Sequence, residues 1–176
     1  MFWRSFMKNL ILEGFMGCGK SRVARQLALD LALKVIDTDD LIEEEQGRKI
    51  SNIFEKDGEE AFRDMETQAL RNLLSDRERQ VISLGGGMPV REENRRLLKE
   101  LGTVIYLKAD VDVLIMRLEK GVEKRPMLAG HDLRDRVREL LSAREMFYDA
   151  AADLVIDIGQ DDPQTISERI IKELGK

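Results

Sequence analysis

The 176-residue sequence predicts an α/β protein, a parallel sheet with helices on both faces organised around a phosphate-binding loop. Two observations predict it. Five short apolar runs, Leu10 to Leu12, Lys34 to Ile36, Val81 to Leu84, Thr103 to Leu107 and Leu154 to Ile156, are separated by segments long enough to hold helices, and such alternation implies parallel strands joined by helical crossovers. The runs are rich in Val, Ile and Leu with little polar alternation, as expected of strands buried on both faces. The second observation is Gly14-Phe15-Met16-Gly17-Cys18-Gly19-Lys20-Ser21, which fits the pattern G-x-x-x-x-G-K-[ST]. There, glycines let backbone N–H groups point at a nucleotide's phosphates, the lysine reaches the outer ones and the hydroxyl holds magnesium. The dinucleotide fingerprint G-x-G-x-x-G fails, because Arg22 sits where its third glycine would be.

Taken in order, the first apolar run feeds this loop, and Ser21 to Leu33 repeats Val23, Leu27 and Leu31 at helical spacing. After the second run comes Asp37-Thr38-Asp39-Asp40. Asp37 ends the strand, where a carboxylate can meet a magnesium ion held by Ser21, and Asp39 projects into the same cleft. The competing reading is an acidic N-cap for the helix through Leu41 to Glu45, and it accounts for Asp40. Ser51 to Ser75 reads as helical with a break at Asp57-Gly58. Within it Arg63 and Glu66 are three apart and can face each other, a spacing that on its own reads as a solvated surface pair of small value. The third strand runs into Gly85-Gly86-Gly87, either bare backbone donors open to a ligand or a plain turn. Val111 to Lys120 continues as a helix carrying Arg117. The stretch from Lys120 to Gly130 has no clean period, and residues about 119–131 read as a mobile lid or a charged surface loop, with Lys124 and Arg125 able to swing onto phosphates. His131 reads as a lid-end residue, since no nucleophile or metal cluster accompanies it. The helix from Leu133 to Ala150 carries Arg144 and Tyr148 on one face. Asp162-Pro163 opens the last helix, to Leu174.

Composition bounds the partners. One domain spanning residues 1–176 is expected, since a chain of this length buries about 70% of the surface its unfolded form exposes. Charged residues make up 36%, hydrophobic ones 43%, and the formal net charge is −5, which excludes disordered and membrane classes and argues against a general nucleic-acid binder. A single cysteine makes no internal disulfide and points to the cytoplasm. The leader Met1 to Met7 has no continuous apolar h-region or small-residue cleavage site, so it is not a signal peptide, and the first six residues are expected to be loosely held. No long exposed apolar stripe announces an interface, and a monomer is expected.

Together, in order and spacing, the loop Gly14 to Ser21, Asp37-Thr38-Asp39, Phe62-Arg63 with Glu66, Gly85-Gly86-Gly87, Arg125-Pro126, and Arg144 followed by Tyr148 resemble shikimate kinases from about Lys8 to the C-terminus. The resemblance implies a three-layer P-loop NTPase fold, nucleoside-monophosphate-kinase-like with a five-stranded parallel sheet and a lid. It implies transfer of the ATP γ-phosphoryl group to the 3-hydroxyl of shikimate, within chorismate and aromatic amino acid biosynthesis, with Mg2+ held through Ser21 and Asp37. It implies nucleotide contacts along Gly17, Cys18, Gly19, Lys20, Ser21 and Arg22, with Arg117 against adenine and Arg125 as the lid arginine on the phosphates. Lys20, Asp39 and Arg125 carry the catalysis in this reading. Asp39 bonds the ring hydroxyls and helps take the proton, Arg63 and Arg144 clamp the carboxylate, Gly85, Gly86 and Gly87 supply backbone donors, and Glu66 orients Arg63. Three departures stand out. Met127 replaces a usual Leu, a near volume-conserving change. Asp161-Asp162 replaces basic residues of some relatives and leaves the adenine contacts open. Cys18 stands where Ser or Ala is usual, near a helix N-terminus and Lys20, so oxidation or alkylation with loss of activity is expected. The rival readings are a kinase for another small hydroxylated acid such as gluconate, a nucleotide kinase, or an inactive nucleotide-binding regulator.

Overall fold

The computed structural model describes residues 8–119 and 132–175; the leader, Lys124, Arg125, His131 and nearly all of the expected lid lie outside the described residues. Strands β1 (Asn9–Glu13), β2 (Lys34–Asp37), β3 (Gln80–Ser83), β4 (Gly102–Lys108) and β5 (Leu154–Asp157) form one parallel sheet in the order β2-β3-β1-β4-β5. All five apolar runs are strands. The register sets Leu12 beside Ser83 and Glu13 beside Tyr106. From β1 the chain runs outward to β2, returns through β3 to one side of β1, then crosses to β4 on the other. That reversal opens a crevice beyond the carboxyl end of β1, where open α/β sheets bind ligands.

Leu10 and Leu12 pack on one face under Val23 and Leu27 of α1 (Lys20–Leu31), Leu114 and Leu118 of α5 (Val111–Leu118), Val137 of α6 (Leu133–Ala151) and Ile166 and Ile170 of α7 (Pro163–Leu174). Ile11 points to the other face, under Leu70 and Leu73 of α3 (Ile50–Leu74) and Leu98 and Leu101 of α4 (Glu92–Leu101). Each buried Leu or Ile contributes about 1.5–3 kcal/mol, so this central strand is fixed from both sides. No helix among the described residues is long and apolar enough to cross a membrane.

Several boundaries differ from the sequence expectation for local reasons. Helix α1 stops two residues early, because Ala32 turns left-handed (φ 52°) and the N–H groups of Ala32 and Leu33 close back on Leu29 and Ala28. Helix α2 (Thr38–Gln46) starts three residues early: its N-cap is Asp37, which accepts from the Asp39 N–H, and Asp40 is a first-turn residue. The expected break in α3 is real, since Gly58 has φ 85° and ψ 173°. Asp132 and Asp162 cap α6 and α7 through their side chains, the latter opening on Pro163 as expected.

Candidate active site

The loop Gly14 to Ser21 links the central strand to α1, with left-handed Gly19 as the helix N-cap. Lys20 opens the helix, so its side chain folds back over the loop and its ammonium donates to the carbonyls of Gly14 at 2.8 Å and Phe15 at 3.2 Å. Ser21 Oγ donates to Asp37 Oδ2 at 2.6 Å and lies 3.4 Å from Ser83 Oγ. Asp37 therefore does both things its position allowed, capping α2 through Oδ1 and facing Ser21 through Oδ2. Two hard oxygens side by side at the loop's mouth suit magnesium, which takes one or two protein ligands and completes its shell from phosphate and water. Among the described residues no cluster of three or more His, Cys, Asp or Glu could hold a metal unaided.

A cleft of about 760 Å³ runs over this loop, from Asp39 past Lys20 and Ser21 to Arg117, Asp161 and Pro163. Gly17, Cys18, Gly19 and Arg22 also line it. Arg117 donates to the Cys18 carbonyl at 2.9 Å, tying α5 to the loop. Asp161 is held by Arg169 at 2.7 Å. Cys18 Sγ is 1% exposed, packed with the core and 3.8 Å from Lys20 Nζ. The access that oxidation or alkylation requires is thus lacking, contrary to the expectation from its position.

Beyond Asp39 the wall is built of buried charge. Arg63 is 7% exposed and Glu66 fully buried, and they bond at 2.7 Å; Glu59 takes the other Arg63 nitrogen at 2.9 Å. The surface pair expected from the i, i+3 spacing is in fact interior, because this turn of α3 faces α2 and the triple glycine. The side chain of Arg144, on α6, is also buried, and its charge acts on Glu66 and Tyr148. Glycine is required here for close approach: a Cβ on Gly85 would meet Asp39 Oδ1 at 2.6 Å and Glu66 Oε1 at 3.1 Å, and one on Gly87 would meet Arg63 Nη1 at 2.3 Å. The Gly85 N–H is taken by Thr38 Oγ1, and the Tyr148 hydroxyl donates to the Gly86 carbonyl. Asn94 braces the segment behind, donating to the Met88 carbonyl and accepting from Thr67.

The electrostatics follow from burial. Desolvation, reinforced by Asp37 and opposed by Lys20, pushes the Asp39 carboxyl up to about 6; desolvation against the pull of Arg63 takes Glu66 to about 7. Asp39 Oδ1 and Glu66 Oε1 are both buried with no hydrogen-bond partner among the described residues, two acceptors aimed at one spot beside Gly85. Asp39, Arg63, Glu66, Gly85 to Gly87 and Arg144 are thus brought together, while Arg125 falls outside the described residues. Glu13, Glu59, Thr38, Ser83 and Asn94 were missed by sequence reasoning. Only Glu13 left a signal there, as a charge closing an apolar strand.

The chain matches the family model described as shikimate kinase over residues 16–175. It is 41% identical over 167 residues to the shikimate kinase of Thermodesulfovibrio yellowstonii, covering 95% of each chain, and 46% identical over 145 residues to that of Pelotomaculum thermopropionicum, covering 82% of this chain and 83% of the other. Its structure is similar to that of the shikimate kinase from Acinetobacter baumannii in complex with shikimate, with TM-score 0.91 and 34% identity over 97% of this chain and 94% of that one. Matches of this extent, on a chain whose phosphate-loop cleft reaches Asp39 and Gly86, establish that the chain belongs to the shikimate kinase family.

Proposed function

We propose that the protein transfers the γ-phosphoryl group of ATP to the 3-hydroxyl of shikimate, giving shikimate 3-phosphate and ADP. The observation that carries this reading is the gathering of Asp39, Arg63 and Glu66 against the triple glycine, with the charge of Arg144 acting on Glu66, next to a cleft that runs from Asp39 over a phosphate loop. A small carboxylated polyol needs cationic donors for its carboxylate and carboxylate acceptors for its hydroxyls, each charge-assisted hydrogen bond adding about 1.5–3 kcal/mol.

Each residue then has a task. Backbone N–H groups of the loop and the Lys20 ammonium neutralise the outer phosphates, and Arg117 lies toward the base. Arg63, oriented by Glu66, holds the acceptor carboxylate together with Arg144. Asp39 accepts the hydrogen bond of the attacking hydroxyl and takes its proton as the new O–P bond forms and the bond to the ADP oxygen breaks. A magnesium ion on Ser21 Oγ and Asp37, when bound, supplies charge neutralisation between the phosphates. Arg125, outside the described residues, adds a further charge over the phosphates in this reading. The enzyme in this reading is a cytoplasmic monomer.

The test is a coupled assay of ADP release with shikimate, quinate, gluconate and AMP as acceptors. Release with shikimate alone is expected, abolished by Asp39→Asn and by Lys20→Ala. Strong turnover of gluconate or AMP in place of shikimate overturns the substrate.

A further inference from the structure

Glu13 has no part in the chemistry above, yet it closes β1 directly beneath the phosphate loop. Its side chain is 1% exposed, and neither of its oxygens has a hydrogen-bond partner among the described residues. An ionised carboxylate so placed would carry a large desolvation penalty, which proteins avoid by keeping the group protonated. The groups facing it come from every neighbouring element: Tyr106 beside it on β4, Lys20 from α1, Tyr148 and Asp149 from α6, and Asp153 ahead of β5. Burial, opposed by Lys20 and reinforced by Asp149 and Asp153, pushes the Glu13 carboxyl up to about 9. At neutral pH the Lys20 ammonium therefore has a neutral acid behind it and rests on the carbonyls of Gly14 and Phe15, the first of which belongs to the residue next to Glu13.

We propose that Glu13 is a positioning residue for phosphoryl transfer: while it keeps its proton the Lys20 ammonium stays at the phosphate cradle, and when it loses the proton the ammonium is drawn back against β1 and releases the outer phosphates. This rests on the reading of Lys20 as the phosphate ligand. The step is one ionisation, in which the acid O–H breaks and the proton leaves to solvent. Glu13 touches no reactant and acts only through Lys20.

The experiment is calorimetric titration of the full chain with MgATP, without acceptor, from about pH 7 to about pH 10, on the wild type, Glu13→Gln and Glu13→Leu. Both replacements are neutral at every pH, and Gln keeps the size and shape of the protonated acid. Every other ionisable group is present in all three proteins, so the difference between the curves arises from replacing Glu13. The wild type is expected to lose about tenfold more ATP affinity than either variant between pH 8 and pH 10. Parallel curves overturn the proposal. Should the variants fail to fold, infrared spectroscopy of the wild type keeps it falsifiable: a protonated-carboxyl band is expected to persist at pH 8, where Asp39 and Glu66 are ionised, and to fade in step with ATP affinity. Absence of that band at pH 8 equally overturns it. Binding is read without acceptor, so failure of shikimate turnover would leave this result intact.

Discussion

The two ends of the cleft are built in opposite ways. The phosphate-loop end comes from one contiguous stretch, and its lysine bonds carbonyls only five and six residues away. The far end gathers Asp39, Arg63 with Glu66, the triple glycine and Arg144 from four segments, and the two arginines and Glu66 are interior. Backbone dipoles and a buried lysine satisfied by carbonyls of its own loop supply phosphate affinity from one segment. Buried carboxylates are different: Asp39 and Glu66 sit above the ordinary carboxylate range, and Glu66 is held by Arg63 on its own helix and by the charge of Arg144 from α6. Substitutions at the first end should therefore change rate and ATP affinity, and removal of Arg63 at the second should change acceptor affinity together with stability.

The largest effect is expected at the first end. Lys20→Ala removes the cation on the outer phosphates, and kcat in the coupled assay should fall by about 10³ or more, with the melting temperature within a few degrees of the wild type. A Lys20→Ala protein that melts far lower would erase the contrast. Asp39→Asn, across the boundary, should lower kcat by about 10²–10⁴ through loss of the proton acceptor.

Next come the arginines. Arg144→Ala and Arg63→Ala should each raise KM for shikimate by about 10- to 100-fold, the equivalent of one charge-assisted interaction, and leave KM for ATP unchanged. Only Arg63→Ala leaves Glu66 buried without its 2.7 Å partner, at an expected loss of about 3–5 kcal/mol in chemical denaturation. Adding Glu66→Gln should restore part of that stability and none of the KM. Equal stability of Arg63→Ala and the double variant would mean Glu66 does not depend on Arg63.

The same contrast decides what the sequence reveals. The loop was legible because its chemistry is written in consecutive residues with a strand before and a helix after; the five strands were legible because both faces of a parallel sheet demand unbroken apolar runs. Arg63 and Glu66 read as a surface pair because i, i+3 spacing places them on a common helix face without telling which way that face turns. Their burial is set by α2 and Gly87, contacts between distant segments that spacing does not encode, so only the family resemblance pointed to them. Asp37 reads as a metal ligand from its place at the strand end, and the structure adds that it also caps α2, since one carboxylate has two oxygens and each has its own partner. Cys18 was read as reactive from its charged neighbours, whereas the fold turns the thiol inward.

The buried acids also make stability depend on pH, with a sign opposite to that of an ordinary salt-bridged carboxylate. Burial raises Glu13 from 4.5 to about 9 and Glu66 from 4.5 to about 7, so the folded chain keeps protons that the unfolded chain has lost. Their stabilising contribution is complete below about pH 4.5 and is lost as pH rises toward those folded values, at up to about 1.4 kcal/mol per unit for each group. Melts at pH 5, 7 and 8.5 should show the wild type losing stability relative to Glu13→Gln throughout, and relative to Glu66→Gln only up to about pH 7. A Glu13→Gln curve parallel to the wild type would mean that Glu13 is ionised in the folded protein.

The smallest effect is the sharpest control on burial. Glu92 and Arg96 on α4 form an i, i+4 pair that by spacing has as good a claim as Arg63 and Glu66, but their side chains are 67% and 75% exposed. Water screens such a pair, and ordering two long side chains offsets most of the attraction, so Arg96→Ala should change stability by no more than about 0.5 kcal/mol and leave kcat and both KM values unaltered. Both pairs join a guanidinium to a carboxylate on one helix, and besides the second carboxylate that Glu59 offers Arg63, the main difference is the solvent around them. If Arg96→Ala shifted the denaturation midpoint as far as Arg63→Ala, burial would not be what separates a structural decoration from a site, and the weight placed on the interior arginines at the far end of the cleft would have to be carried by their contacts with ligand alone.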